Sequence, residues 1–320
     1  MSVNLTETPS VDDAPIDLSA RDKRWGERAI VAWLFATAAL SVLVTIGIVL
    51  SLMGPAVEFF REISIFQFLQ AGTWAPRQGE FDVINLFVGT LNVTMWAILI
   101  AIPGGLGAAV WLSEYASSRA RNVIKPVLEV LEGVPTVAYG LFAYLFVTPI
   151  LHDVWPTFLP GKLGEPPGIF SAGAAGLVMG IMLIPTIASI SEDAMRAVPQ
   201  GLREAAYGLG STRMQVSVKV VVPSALSGII AAFVLGVSRG IGETMLVLIA
   251  AGATPNLTLL PNESVQTMTA FIARTATGDI SQGSIDYNVI FAVGALLFVI
   301  TLVMNLISTA LVRRFRESYE

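Results

Sequence analysis

The sequence predicts an all-α integral membrane protein with six transmembrane helices, and three observations carry that prediction. The chain of 320 residues is 54% hydrophobic and only 13% charged, with a mean hydropathy of +0.71, whereas a soluble domain carries about 25% charged residues. Several apolar runs exceed the roughly 20 residues that cross a bilayer. Lysine and arginine alternate between successive loops, as the positive-inside rule requires. Cysteine is absent and the single histidine is His152. Disulfides, cysteine nucleophiles and thiolate or histidine-rich metal sites are thereby excluded.

Residues 1–28 form a polar tail in which Glu7, Asp12, Asp13 and Asp17 precede Arg21, Lys23, Arg24 and Arg28. A cleavable signal would place a short apolar stretch directly behind a basic start, so targeting falls to the first span. The apolar runs place spans near 29–52, 83–112, 126–150, 169–190, 222–252 and 288–312. Pro103-Gly104-Gly105 in the second and Pro185 in the fourth predict bends. Between spans, 53–82 reads as an amphipathic helix lying in the interface. Residues 151–168 are too rich in proline and glycine for a helix, and 253–287 form a long polar loop.

Basic residues set the orientation. One side holds the tail arginines and lysine, then Arg119, Arg121 and Lys125, then Arg196, Arg203, Arg213 and Lys219, then Arg313, Arg314 and Arg316. The other side holds only Arg61, Arg77, Lys162 and Arg274, leaving Arg239 within a span. Both termini, including 313–320, are therefore expected in the cytoplasm.

The loop 191–221 is distinctive. Within it Glu204-Ala205-Ala206 is followed by Gly210, and then by Val220-Val221-Val222-Pro223 at the membrane entry. The residues predict a short surface helix ended by Gly208 and Gly210, then a second helix that enters the membrane near Pro223. This spacing resembles the EAA motif of bacterial ABC importer permeases, at Glu204, Ala205, Ala206, Gly210, Val220 and Pro223, with Val222 where that motif has leucine. The resemblance implies the type I importer permease fold, with this cytoplasmic loop docking onto a separate ATPase. The chain has no G-x-x-x-x-G-K-[ST] phosphate loop. It is therefore expected to have no catalytic residues or cofactor of its own, with ATP and Mg used by the partner ATPase.

Ser238-Arg239-Gly240-Ile241-Gly242-Glu243-Thr244 is similar to the fifth span of phosphate permeases, which pair two different chains, of the PstC and PstA types. Met245 after Gly-Glu-Thr matches the PstC type, and Gly133 to Gly140 is similar to that family's third span. Glu132 departs from it, standing where a small residue belongs. The resemblance implies as partners a PstA-like second permease, a PstB-like ATPase dimer and a PstS-like external phosphate-binding protein. Inorganic phosphate and membrane lipid complete the set, and nucleic acid is not among them.

A charge near the bilayer centre costs about 2.5 kcal/mol or more, so such residues face a cavity or a partner. Arg239 and Glu243 stand at i and i+4 on one helix face, where they can pair. A guanidinium presents a planar fork of donors suited to phosphate oxygens. The substrate path is therefore expected to use Arg239, Glu243, Ser238 and Thr244, with Glu243 balancing Arg239 when the path is empty. The alternative is a buried ion pair that holds helix register without touching substrate.

Glu129 and Glu132 read as snorkelling towards the interface near Lys125. His152 and the Asn256 and Asn262 triplets read as loop residues. Gly176 and Gly180, with Gly236, Gly240 and Gly242, read as close helix contacts. A permease for sulfate or molybdate is the alternative within this class. A stand-alone ion-coupled secondary transporter is the alternative outside it; such a protein shows inverted repeats and midplane ion-site residues, and neither is visible here.

Overall fold

The computed structural model describes residues 25–278, 281 and 283–314. Most of the 1–28 tail and all but the first residues of 313–320 lie outside the described residues. The chain divides into two units, Met1–Ser51 and Leu52–Glu320. In the first, the helix α1 (Trp25–Glu62) displays Trp33, Phe35, Leu43 and Leu50 on its exposed surface, as a lipid-solvated span does.

The second unit is built on two helices, α2 (Ile84–Tyr115) and α5 (Ala172–Arg196). Glycine allows them to lie close together. A Cβ added at Gly176 would sit 2.6 Å from Trp96 Cβ, and one at Gly180 would sit 2.7 Å from the Ala97 carbonyl. On the other partner, a Cβ at Gly105 would meet Ile187 Cγ2 at 2.6 Å. Lipid tails are as apolar as leucine, so helices in a membrane associate through close packing of this kind. Around the seam Val93, Ala97, Ala101, Met179, Leu183 and Ile187 are buried.

Neither proline where a bend is expected interrupts its helix. From Ile84 to Val110 the backbone is one α-helix through Pro103, closing with a π turn at Trp111–Tyr115. The α5 helix likewise runs unbroken through Pro185. Gly104 and Gly105 admit Ile184 and Ile187 of α5.

The third span is also corrected. Its expected first half belongs to a separate helix, α3 (Ser118–Glu132), capped by Ser117 and without a buried residue. The chain breaks at Gly133-Val134-Pro135, because proline lacks an N–H and steers its predecessor out of the α region. The apolar crossing is α4 (Thr136–Val154). Beyond α5 come α6 (Gln200–Gly208) and α7 (Arg213–Ser224), then α8 (Leu226–Gly242). The fifth span is therefore not continuous over 222–252. Helices α7 and α8 meet at 73°, and α8 stops where Glu243 turns extended (ψ 133) before α9 (Met245–Ala250).

The stretch 53–82 does not form an interfacial helix. The α1 helix continues to Glu62, and a single turn at Ile65–Phe68 leads to a two-stranded hairpin, β1 (Trp74–Ala75) paired antiparallel with β2 (Glu80–Phe81). Phe59, Phe68, Trp74 and Phe81 meet edge to face and are buried with Phe271 of α10 (Met268–Ala276). Aromatics whose spacing suggests a membrane interface thus form a small core of their own. Asparagines on α2 hold the long loop beyond α9, with Asn85 Nδ2 donating to the Pro255 carbonyl and Asn92 Nδ2 to those of Thr258 and Leu260. Asn262 is also turned inward, donating to the carbonyls of Lys162 and Glu165, and His152 Nδ1 lies 2.9 Å from the Pro167 carbonyl. The last helix is α11 (Ile285–Arg314).

Among the described residues five helices are long and apolar enough to cross a membrane, or six if the bent pair α7–α8 is one span.

Gly180→Val is expected to destabilise the chain by about 1–3 kcal/mol through overpacking of the seam. Gly107→Ala, where an added Cβ meets nothing within 4 Å, is expected to be neutral or stabilising. Thermal unfolding in detergent, followed by size-exclusion chromatography, separates the two.

Candidate coupling helix and intramembrane charge site

The EAA segment folds as a surface helix because its own residues cap it. In α6 the final turn closes with Ser211 N–H bonded to the Ala206 carbonyl and Gly210 N–H to that of Tyr207. Gly210 takes φ +80, the left-handed conformation in which a side chain is strained. Two residues on, Thr212 and Gln215 form a reciprocal capping box that starts α7. Glu204 and Ala205 are exposed, while Ala206 packs against the buried cluster of Met195, Val198 and Val216. Leu209 is 88% exposed, and Leu202, Tyr207 and Met214 are exposed beside it.

The helix is anchored by an arginine whose partner is not apparent in the sequence. Arg203 donates to the carbonyls of Val198 (2.7 Å) and Met195 (2.8 Å) and to Glu114 Oε1 (3.0 Å). The Arg203 and Glu114 side chains are only 11% and 5% exposed. One guanidinium thus ties α6 to carbonyls at and just beyond the end of α5 and to the last turn of α2.

A second cluster lies nearby. Glu192 on α5, 1% exposed, receives Lys125 Nζ at 2.8 Å, with Arg121 Nε at 3.4 Å and Arg196 Nε at 3.7 Å. Lys125 also contacts Asp193. Partial burial pulls the Lys125 ammonium down, but hydrogen bonds to Asp193 and Glu192 outweigh this and hold it above the usual lysine value of 10.5. Because the folded value is the higher one, this pairing is at full strength below the ordinary lysine value and is lost only as pH rises through the raised one. Several basic residues that indicate sidedness in the sequence therefore also neutralise a buried carboxylate.

Arg239 sits near the end of α8, and its partner is Glu132, not Glu243. Arg239 Nη1 donates to Glu132 Oε1 at 2.8 Å and to Thr186 Oγ1 at 2.9 Å, and Thr186 donates to the same carboxylate oxygen at 3.0 Å. Arg239 Nη2 lies 3.5 Å from the Glu132 carbonyl, at the C-terminal end of α3, where a cation is favoured. The i,i+4 pairing fails because α8 has ended by Glu243. Its backbone is extended there, its Oε1 accepts from Leu246 N–H at 3.3 Å to cap α9, and its carbonyl accepts from Thr269. Ser238 instead reaches Asn305 on α11 at 3.5 Å, and Thr244 donates to the Gly242 carbonyl. The four residues expected to form the path are thus adjacent along the chain but do not converge in one hydrogen-bonded group. Glu132 and Thr186 join Arg239 there. Glu132, read from the sequence as an acid snorkelling towards the interface near Lys125, is turned to Arg239 instead, and Thr186 gives no signal in the sequence.

A double-mutant cycle read by thermal stability is expected to give a coupling of about 0.5–3 kcal/mol for Arg239 with Glu132. For Arg239 with Glu243 it is expected to fall within about 0.3 kcal/mol of additivity. At the surface helix, Glu114→Gln or Arg203→Gln alone is expected to cost about 3–5 kcal/mol, because each leaves a buried charge unpaired. The double substitution is expected to cost less than the sum, again by thermal unfolding.

Residues 101–317 match the family described as binding-protein-dependent transport system inner membrane component. Among curated proteins, a probable ABC transporter permease protein, YqgH of Bacillus subtilis, is 31% identical over 95% of this chain and 96% of its own. The phosphate transport system permease protein PstC of Haemophilus influenzae is 31% identical over 88% of this chain and 92% of its own. PstC 1 of Mycobacterium tuberculosis is 33% identical over 76% and 75%. Among solved structures, a chain of a bacterial alginate ABC transporter superposes with a TM-score of 0.60 at 17% identity, covering 93% of this chain and 100% of that one. A chain of the inward-facing MetNI methionine ABC transporter gives a TM-score of 0.52 at 17% identity, covering 73% and 94%.

Proposed function

The chain belongs to the family of binding-protein-dependent transport system inner membrane components, as a multi-pass ABC importer permease subunit, and from that premise we propose that it serves a phosphate importer as its PstC-type permease. The observation that carries the choice of substrate class is Arg239. It is a partly exposed arginine inside an apolar span, in a chain whose relatives at 31–33% identity include phosphate permeases named PstC. Arginine binds tetrahedral oxyanions through charge-assisted, paired hydrogen bonds.

In this reading the basic end of the protein and both termini face the cytoplasm. Phosphate arrives on a PstS-like external binding protein and passes between this chain and a PstA-like second permease. A PstB-like ATPase dimer, a separate polypeptide holding ATP and Mg, docks on α6. Leu202, Tyr207 and Leu209 supply the exposed apolar contact, and exposed Ala205 lets the partner's backbone approach. Arg203 makes that docking mechanical. Because it bonds to the ends of α2 and α5, a displacement of α6 pulls on the helices that form the central seam. Within the span, Arg239 provides the positive charge that carries the anion through the apolar interior, and Glu243 holds the break between α8 and α9.

Uptake of labelled phosphate at micromolar concentration tests this reading, in cells that lack their own high-affinity importer and are supplied with this chain and its partner subunits. Wild type is expected to restore uptake. Arg239→Gln is expected to reduce it at least about a hundredfold at normal membrane levels, as loss of a charge-stabilising donor does. Leu209→Glu is expected to abolish ATP-driven uptake while leaving the chain folded. Entry of sulfate or molybdate without phosphate would overturn the substrate assignment and leave the permease class standing.

A further inference from the structure

We propose that Glu132 is an internal counter-ion that competes with the transported anion for Arg239, so that the permease carries its own anionic occupant in the resting path. The inference rests on the phosphate reading above and deepens it.

Four observations lead to it. First, the pair is open on both sides: the Arg239 side chain is 29% exposed and that of Glu132 38%, in contrast to the sealed Arg203–Glu114 pair. An anion can therefore reach the guanidinium without dismantling the core. Second, Arg239 is not saturated. Among the described residues its short hydrogen bonds all come from Nη1, with one 3.5 Å contact from Nη2, which leaves the Nε edge for another acceptor.

Third, the carboxylate stands on a joint. Glu132 is the last residue of α3, directly before the Gly133-Val134-Pro135 break that separates α3 from the crossing helix α4. A change of side-chain rotamer at this open end removes the carboxylate, while α3 stays held to α5 through Lys125 and Arg121 and Thr186, buried on α5, keeps its hold on Arg239 Nη1. Fourth, Glu243 is committed elsewhere, to the N–H of Leu246. The charge that balances Arg239 therefore comes from a different helix, and separating α3 from α8 alters the charge of the path.

A carboxylate and a phosphate are alternative partners for the same donors. An arginine without a competitor would bind the anion more tightly and release it more slowly. With Glu132 in place, release is assisted by the return of the ion pair.

Equilibrium binding of radiolabelled inorganic phosphate tests the proposal directly, using the assembled transporter in lipid nanodiscs without the external binding protein. Glu132→Gln keeps an oxygen for Arg239 and Thr186 but removes the charge. It is expected to tighten phosphate binding by about fivefold or more and to slow dissociation, and Arg239→Gln is expected to abolish binding in either background. Glu132→Asp, which keeps the charge, is expected to stay near wild type. Unchanged affinity in Glu132→Gln, with binding still lost in Arg239→Gln, would overturn the competition while leaving the phosphate reading intact. A Glu132→Gln chain of lower thermal stability but unaltered affinity would overturn the competition equally. Binding of sulfate but not phosphate by every variant would instead overturn the phosphate reading itself.

Discussion

Helices α2 and α5 approach closely because Gly176, Gly180 and Gly105 leave no side chain between them, and the remaining parts of the second unit are positioned against that seam. Its far end presents Met195 and Val198 carbonyls and the Glu114 carboxylate, to which Arg203 fastens α6. Its middle presents Thr186 to Arg239. Asn85 and Asn92, on the opposite end of α2, hold the loop that follows α9. In an apolar solvent that supplies no hydrophobic drive between helices, a close-packed pair of this kind is a natural fixed frame, and moving elements can be attached to it by directional bonds.

Those attachments are mostly charged, and burial separates them into two kinds. The Arg203–Glu114 pair and the Glu192 carboxylate are sealed, so breaking either set of contacts leaves a desolvated charge. They behave as struts. Arg239–Glu132 is partly open and joins α8 to the end of α3 beside a proline break, so its separation costs less. In the function proposed above, the stiff links carry force from the surface helix to the spans, and the weaker link exchanges partners in the path. The difference lies in exposure, since the participating residue types are the same.

Much of the architecture is legible in the chain. Long apolar runs cannot be satisfied in water, and the EAA spacing and Gly210 are local signals whose physics acts within a few residues. The third span fails for a local reason, the break at Pro135, and other expectations fail through contact with segments remote in sequence. Pro126 to Leu131 is mostly apolar and reads as the start of the third span, yet α3 is a separate amphipathic helix. The fifth span reads as continuous through Ala225 and Glu243, neither of which ordinarily breaks a helix. The aromatics of 53–82 suggest a membrane interface, but they meet Phe271, far away in the chain. Pro103 and Pro185 lie inside helices that continue past them.

By itself the sequence determined the membrane class, the number of apolar runs, the surface helix with its caps, and the presence of one arginine that must find a partner inside a span. These follow from composition, spacing and capping chemistry, which are properties of neighbouring residues. Only the tertiary structure decided which acid that partner is. Glu243 stood four residues away and Glu132 more than a hundred, and the choice between them turned on whether α8 continued past Gly242. It does not, because Glu243 is drawn into capping α9 and bonding Thr269. A hydrogen bond made to a distant segment can override helical periodicity, and no pattern along the chain records where that segment will lie.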